Sequence, residues 1–259
     1  GTGELIGTFT TIQDAANAAL AGQYILVNGT GIGSVSGAPA YTATNENVTL
    51  DAGVTLIGLG TVTVNSFTVT GGGAGQTLTI DNIDVTGAGV QSAVAVNNAA
   101  AYDSLTIKNG TVNGGTTYGF SVGAAFNVAA VTLMDMLFSG NATTYAMGSG
   151  PISFYGYDNG NITLSGVTVT SPANAHNGIQ IFGNGGPMGT VTFDDVVVNG
   201  SYVGTGVSIR NYSSNGLVFT NDGGTPGLSV NVSTAYTGLH IEMVGGNVEG
   251  STRVLTTAI

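Results

Sequence analysis

Leu78-Thr-Ile-Asp-Asn82 returns as Leu105-Thr-Ile-Lys-Asn109, Val131-Thr-Leu-Met-Asp135, Ile162-Thr-Leu-Ser-Gly166 and Val191-Thr-Phe-Asp-Asp195. The intervals between their starts are 27, 26, 31 and 29 residues, and Leu217-Val-Phe-Thr-Asn221 follows after another 26. A second short apolar stretch trails each copy: Ile83-Asp-Val85, Gly110-Thr-Val112, Met136-Leu-Phe138, Val167-Thr-Val169 and Val196-Val-Val198. A third follows a Gly-bearing turn, as in Val94-Ala-Val96, Phe120-Ser-Val122, Ile152-Ser-Phe154, Ile179-Gln-Ile181, Val207-Ser-Ile209 and Leu239-His-Ile241. Three short strands in every period of 26 to 31 residues predict a right-handed parallel β-helix, an all-β solenoid. Strand side chains alternate, so Leu78 and Ile80 face inward with their counterparts, and the Thr between them faces out. Stacked coils then carry an outward column of Thr79, Thr106, Thr132, Thr163 and Thr192. Asn82 and Asn109 share one corner, where amides can bond from coil to coil. Gly87, Gly114, Gly140 and Gly200 share a later corner suited to positive φ.

Composition agrees. The 259 residues include 44 Gly but only 7% charged residues, and the mean hydropathy is +0.32. No run of about 18 apolar residues offers a spanning helix, which excludes membrane insertion by that route. Three Lys plus Arg against 14 Asp plus Glu give a net charge of −11. Such a chain is a poor partner for nucleic acid, whose binding depends on neutralising phosphates. Cysteine is absent, so neither disulfides nor thiolate metal sites enter, a pattern that fits a bacterial exported protein. The Asn-x-Ser/Thr triplets are those expected by chance in an Asn- and Thr-rich sequence.

At the N-terminus, Thr10 and Thr11 can cap a helix over Ile12 to Ala21, with Gly22 ending it before a strand at Tyr24. That helix would cover the open edge of the first coil. One domain is therefore expected over 1–259, with the cap in 1–22 and the coils in 23–259. No similar cap is visible near Thr252-Arg-Val-Leu-Thr-Thr-Ala-Ile259, so a further domain or subunit is expected at that end. The stretch Phe9 to Val27, with Asn47-Val-Thr-Leu-Asp-Ala-Gly-Val-Thr-Leu-Ile-Gly58, resembles the opening of pectate-lyase-like β-helix proteins. The resemblance implies the fold. That superfamily includes lyases, hydrolases, epimerases, phage spikes and adhesins, and fold alone does not choose among them.

The richest outward surface is on the third strand of each coil. One row reads Ala95, Ser121, Ser153, Gln180, Ser208, His240, and the row beside it Asn97, Gly123, Tyr155, Phe182, Arg210, Glu242. With Tyr157, Asp158 and Tyr212 in the adjoining turns, this face offers aromatic platforms for sugar rings and an Arg for a uronate carboxylate. Tyr155, Tyr157, Phe182, Arg210, Tyr212, His240 and Glu242 are thus the candidate ligand-binding residues. The reading is an extracellular or cell-surface bacterial module that contacts polysaccharide. Tyr155-Gly-Tyr-Asp158-Asn-Gly160 also resembles the Tyr-Gly-Phe-Asp-Pro-His motif of mannuronan C5-epimerases. That resemblance implies epimerase or lyase chemistry at Tyr155 and Asp158. Gly160 replaces the motif's His, which leaves His240 or His176 to supply the imidazole. The remaining alternative is a structural adhesin or spacer without a small ligand.

Other patterns carry less. Asp194-Asp195 looks like a glycosidase acid pair but has no companion motif. Ca²⁺, which favours clustered oxygens, is the one ion that Asp81, Asp84 or Asp194 would suit, and no metal site is assigned. The Thr column invites an ice-binding reading. The next outward row, Asp81, Lys108, Met134, Ser165 and Asp194, interrupts any flat Thr array, and strand propensity accounts for the threonines.

Overall fold

The computed structural model describes residues 7–31, 40–43, 45–97, 100–123, 127–142, 148–157, 160–171, 175–183, 187–220, 226–234, 236–245, 248–250 and 252–258. Among them the chain is a parallel β-solenoid with one short helix. Every pairing between its strands is parallel and joins neighbouring coils. Thr77–Asp81 pairs with Ser104–Asn113, which pairs with Ala130–Ser139, and the series continues through Asn161–Ser165 and Pro187–Asp194. The sequence-derived alignment is the observed register: Leu78, Leu105, Val131, Ile162, Val191 and Leu217 are successive Cα partners.

The inner columns pack as alternation requires. Leu78, Leu105, Ile162 and Val191 are fully buried, and Phe193 stacks on Phe219 with ring centroids 5.3 Å apart. Each such side chain contributes roughly 1.5–3 kcal/mol on burial. The outward Thr column is in register from Thr55 to Thr192, and the mixed row beside it is interrupted as expected.

The corner between the first and second strands turns on a single left-handed residue. Asn82 (φ 55°), Asn109 (57°), Asp135 (51°), Gly166 (61°) and Asp195 (52°) occupy it in consecutive coils. Asn and Asp tolerate this region because a short polar side chain can bond locally. The amides do bond to the preceding coil, though not to each other: Asn82 Nδ2 donates to Gly58 O (2.8 Å) and Asn109 Nδ2 to Asp81 Oδ1 (2.7 Å). At the next corner Gly87, Gly114, Gly140 and Gly200 all have positive φ.

The helix α1 spans Ile12–Ala18, three residues shorter than expected, with Thr11 as its N-cap. Ala19 is already extended (φ −77°, ψ 141°), and Gln23 Oε1 accepts from the Leu20 N–H at 2.7 Å. Leu20 therefore lies exposed instead of completing the helix's apolar face. Ile12, Ala15 and Ala16 are the buried positions. The Glu46 carboxylate accepts from the N–H groups of Ile12 (3.2 Å) and Gln13 (2.6 Å) and from the Tyr41 hydroxyl (2.6 Å). Gln13 then does what a neighbouring strand would do. Its Oε1 accepts from Thr49 N (2.6 Å) and its Nε2 donates to Thr49 O (3.1 Å). The outer edge of Asn47–Leu50, whose strand partner is Ser66–Val69 on the other side, is thereby satisfied at Thr49.

Candidate functional site

The third strands stack in the register read from sequence as far as Ile209–Ile241. A bulge then shifts the ladder and leaves Arg210 and Glu242 unpaired with each other as backbone partners, contrary to the expected row. Tyr155 pairs with Phe182 and Phe182 with Arg210, while Ser153, Gln180, Ser208 and His240 form the row beside them. Neighbouring positions in a row lie one strand spacing apart, about 4.8 Å. Tyr155 is 52% exposed and lies almost parallel to Phe182, with centroids 5.1 Å apart and 9° between planes. Their rings form a flat aromatic platform. The row continues into the exposed Arg210, whose Nη2 is 3.2 Å from His240 Nδ1. His240 Nε2 is 3.9 Å from Glu242 Oε2. Among the described residues no carboxylate pairs with Arg210, whereas Lys108 is held by Asp81 at 3.2 Å.

The second row is more closed than its outward direction suggests. Ser153, Gln180 and Ser208 are only 3%, 7% and 5% exposed. Asn177 Nδ2 donates to Gln180 Oε1 at 2.8 Å, and a Cβ on Gly148 would touch the same amide. The accessible part of the face is therefore the rim formed by Tyr155, Phe182, Arg210, His240 and Glu242.

Tyr157 is not part of it. The side chain is fully buried, its ring 5.8 Å from that of Phe154, and its hydroxyl donates to Val128 O at 2.8 Å. Strict alternation would place Tyr155 and Tyr157 on one face. Gly156, at φ 69°, reverses the second of them into the core. The expectation that Tyr157 contacts ligand is corrected on this ground. Gly160 follows from the same packing, because a Cβ there would collide with the Tyr157 hydroxyl and the Val128 carbonyl. A histidine at that place would have to displace the buried ring. Asp158 and the side chain of Tyr212 lie outside the described residues.

Tyr155 and His240 are brought to one face but not to one atom. The partner sequence Tyr155, Phe182, Arg210 puts His240's strand three coils away, about 14 Å. A general acid and base must both come within hydrogen-bond reach of the reacting group. Tyr155 and His240 thus stand at separate positions on a common surface. His176, one coil beyond Tyr155, is half-buried. Burial lowers its pKa, opposed by its hydrogen bond with Asn177 and reinforced by the Arg210 charge.

Tyr118 was not singled out from the sequence, yet it joins this neighbourhood. It opens the strand Tyr118–Val122, and its phenol is held above the ordinary range by burial and then by nearby Tyr155. The available signal was its place in the third-strand alignment, where Ser92 and Gly150 are its partners and it alone is large.

Elsewhere the carboxylates serve neighbouring coils. Asp84 Oδ1 accepts from Thr111 N (2.9 Å), and Asp194 accepts from Ser165 Oγ (2.9 Å) and Thr220 Oγ1 (2.5 Å). No group of three or more His, Asp or Glu side chains suited to a metal ion occurs among the described residues. No described helix is long and apolar enough to cross a membrane. In comparisons with known proteins, no family model, no curated protein and no solved structure matches this chain.

Proposed function

We propose that this chain is a polysaccharide-contacting β-helix module, exported to the cell surface or beyond by a bacterium, and that sugar meets it on the rim of the third-strand face. The observation that carries this reading is the exposed Tyr155 ring, stacked parallel on the partly exposed Phe182, running directly into an Arg210 that has no carboxylate partner among the described residues. Aromatic faces take the C–H surfaces of sugar rings, and a guanidinium matches a carboxylate or sulfate in bidentate fashion. The in-register rise of about 4.8 Å per coil lets an extended chain lie along the row. Binding is favoured over turnover by the three-coil separation of Tyr155 from His240.

Affinity-gel retardation of the full chain tests the reading against acidic and neutral polysaccharides, with and without calcium. The expected result is retardation by at least one polymer, weakened about five- to tenfold by Tyr155→Ala, which removes roughly 1 kcal/mol or slightly more of stacking. Retardation by none of them, or retardation unchanged in Tyr155→Ala and Arg210→Ala, would overturn it.

A further inference from the structure

Arg210 Nη2 lies 3.2 Å from His240 Nδ1. A guanidinium only donates hydrogen bonds, so this contact is a hydrogen bond in the tautomer whose Nδ1 carries no proton. In that tautomer the ring proton is on Nε2, the nitrogen facing Glu242 Oε2 at 3.9 Å. We infer that His240 is a proton-operated latch on Arg210, holding the guanidinium when neutral and releasing it when charged.

Among the described residues, three charged or titratable groups bear on the latch. Arg210 faces His240 from the preceding coil, and Glu242 faces it from its own strand. His176 acts on Arg210 from the turn before Asn177–Phe182, where burial and the Arg210 charge both oppose its protonation. Imidazole is the side chain whose charge ordinarily changes between pH 5 and 8. A proton on Nδ1 would set donor against donor and cation against cation across the contact, while Glu242 would draw the imidazolium the other way. A guanidinium freed from His240 has the Phe182 ring as its nearest neighbour in the row, and arginine stacks favourably on aromatic faces. Release would therefore present the cation on the aromatic platform. The consequence for glycan binding rests on the polysaccharide reading above, whereas the latch itself does not.

The test uses the full, isotope-labelled chain, whose only arginines are Arg210 and Arg253. The Arg210 Nε–H signal is followed by NMR from about pH 8 to about pH 5, in the parent, His240→Gln and Glu242→Gln proteins. A pH-dependent step in the parent and in Glu242→Gln, absent from His240→Gln, is the expected result. A flat signal in the parent, a step that survives in His240→Gln, or one abolished by Glu242→Gln overturns the latch. Retardation by polygalacturonate at the two pH limits separates the two claims. The parent should bind about threefold or more tightly at the acid limit, with no such gain in His240→Gln. An Arg210 step without retardation by any polymer of the acidic and neutral panel at either pH refutes the polysaccharide reading and leaves the latch standing. Retardation without the step does the reverse.

Discussion

Replacing Tyr157 by phenylalanine deletes one oxygen from the interior and leaves the ring in place. The hydroxyl donates to Val128 O at 2.8 Å, and the side chain is fully buried. Val128 is itself buried, so water does not readily replace the lost donor. Leaving a buried acceptor unsatisfied costs roughly 1–3 kcal/mol, and the middle of that range is about 2 kcal/mol. For a chain of this length each kcal/mol lowers Tm by roughly 2–4 °C, which predicts a fall of about 4–8 °C. In a solenoid each coil leans only on its neighbours, so the loss should be concentrated between the Val128 and Tyr157 coils. Thermal unfolding followed by circular dichroism gives the global shift, and hydrogen exchange around Val131 and Ile162 gives the local one. Tyr155→Ala, two residues away, should shift Tm by less than about 0.5 kcal/mol's worth, because it removes an exposed ring. The pair of variants thus separates structure from contact. A Tyr157→Phe protein with unchanged Tm and weakened polysaccharide retardation would refute the inward placement and the argument built on Gly156.

Three more expectations follow from named contacts. Gln13→Ala should cost about 0.5–1 kcal/mol, since water can replace the lost partner, and should open the backbone edge at Thr49, so sedimentation velocity should show more self-association than in the parent. Asn109→Val should destabilise by roughly 1–2 kcal/mol because a β-branched residue resists φ 57°, while Asn109→Gly should lose less, a difference read by chemical denaturation. At high pH, burial and then nearby Asp51 push the Tyr102 hydroxyl up to about 12, and its folded-state pKa therefore lies above the unfolded one. That contribution is intact below about pH 10 and is lost as pH rises towards 12, since only the unfolded chain ionises in that window. Tyr102→Phe should flatten this part of the alkaline unfolding curve, and an unaltered curve would contradict it.

The coil register was legible because two independent periodicities coincide: alternation within a strand and recurrence of the same apolar triplet at near-constant intervals. Leu78, Leu105 and Val131 could be aligned without any structural information. The Tyr155–Phe182–Arg210 row followed from the same alignment, since parallel pairing carries a position faithfully from coil to coil. Departures arose where a backbone conformation interrupts alternation. Gly156 turned Tyr157 inward, and the early exit of Ala19 from helical geometry left Leu20 outside. The closed second row was hidden for another reason. Burial of Ser153 and Gln180 depends on what lies over the face, such as Asn177 and Gly148, and no periodicity reports that. The Arg210–His240 contact was invisible at this level because it is a rotamer choice.

Gln13 has a consequence for how such a molecule acquires its length. A stack of coils is a template that accepts the next layer wherever a strand edge is open, and nothing in the repeated interior says how many layers are enough. A single carboxamide, offering one acceptor and one donor at strand spacing, acts here as a polymer chemist's chain stopper. Because the hydrogen bonds of that carboxamide among the described residues go to Thr49 and Asn17, whole coils could be duplicated or deleted further along without rewriting it. The count of layers and the surface they display are thereby free to vary separately from the end that arrests growth.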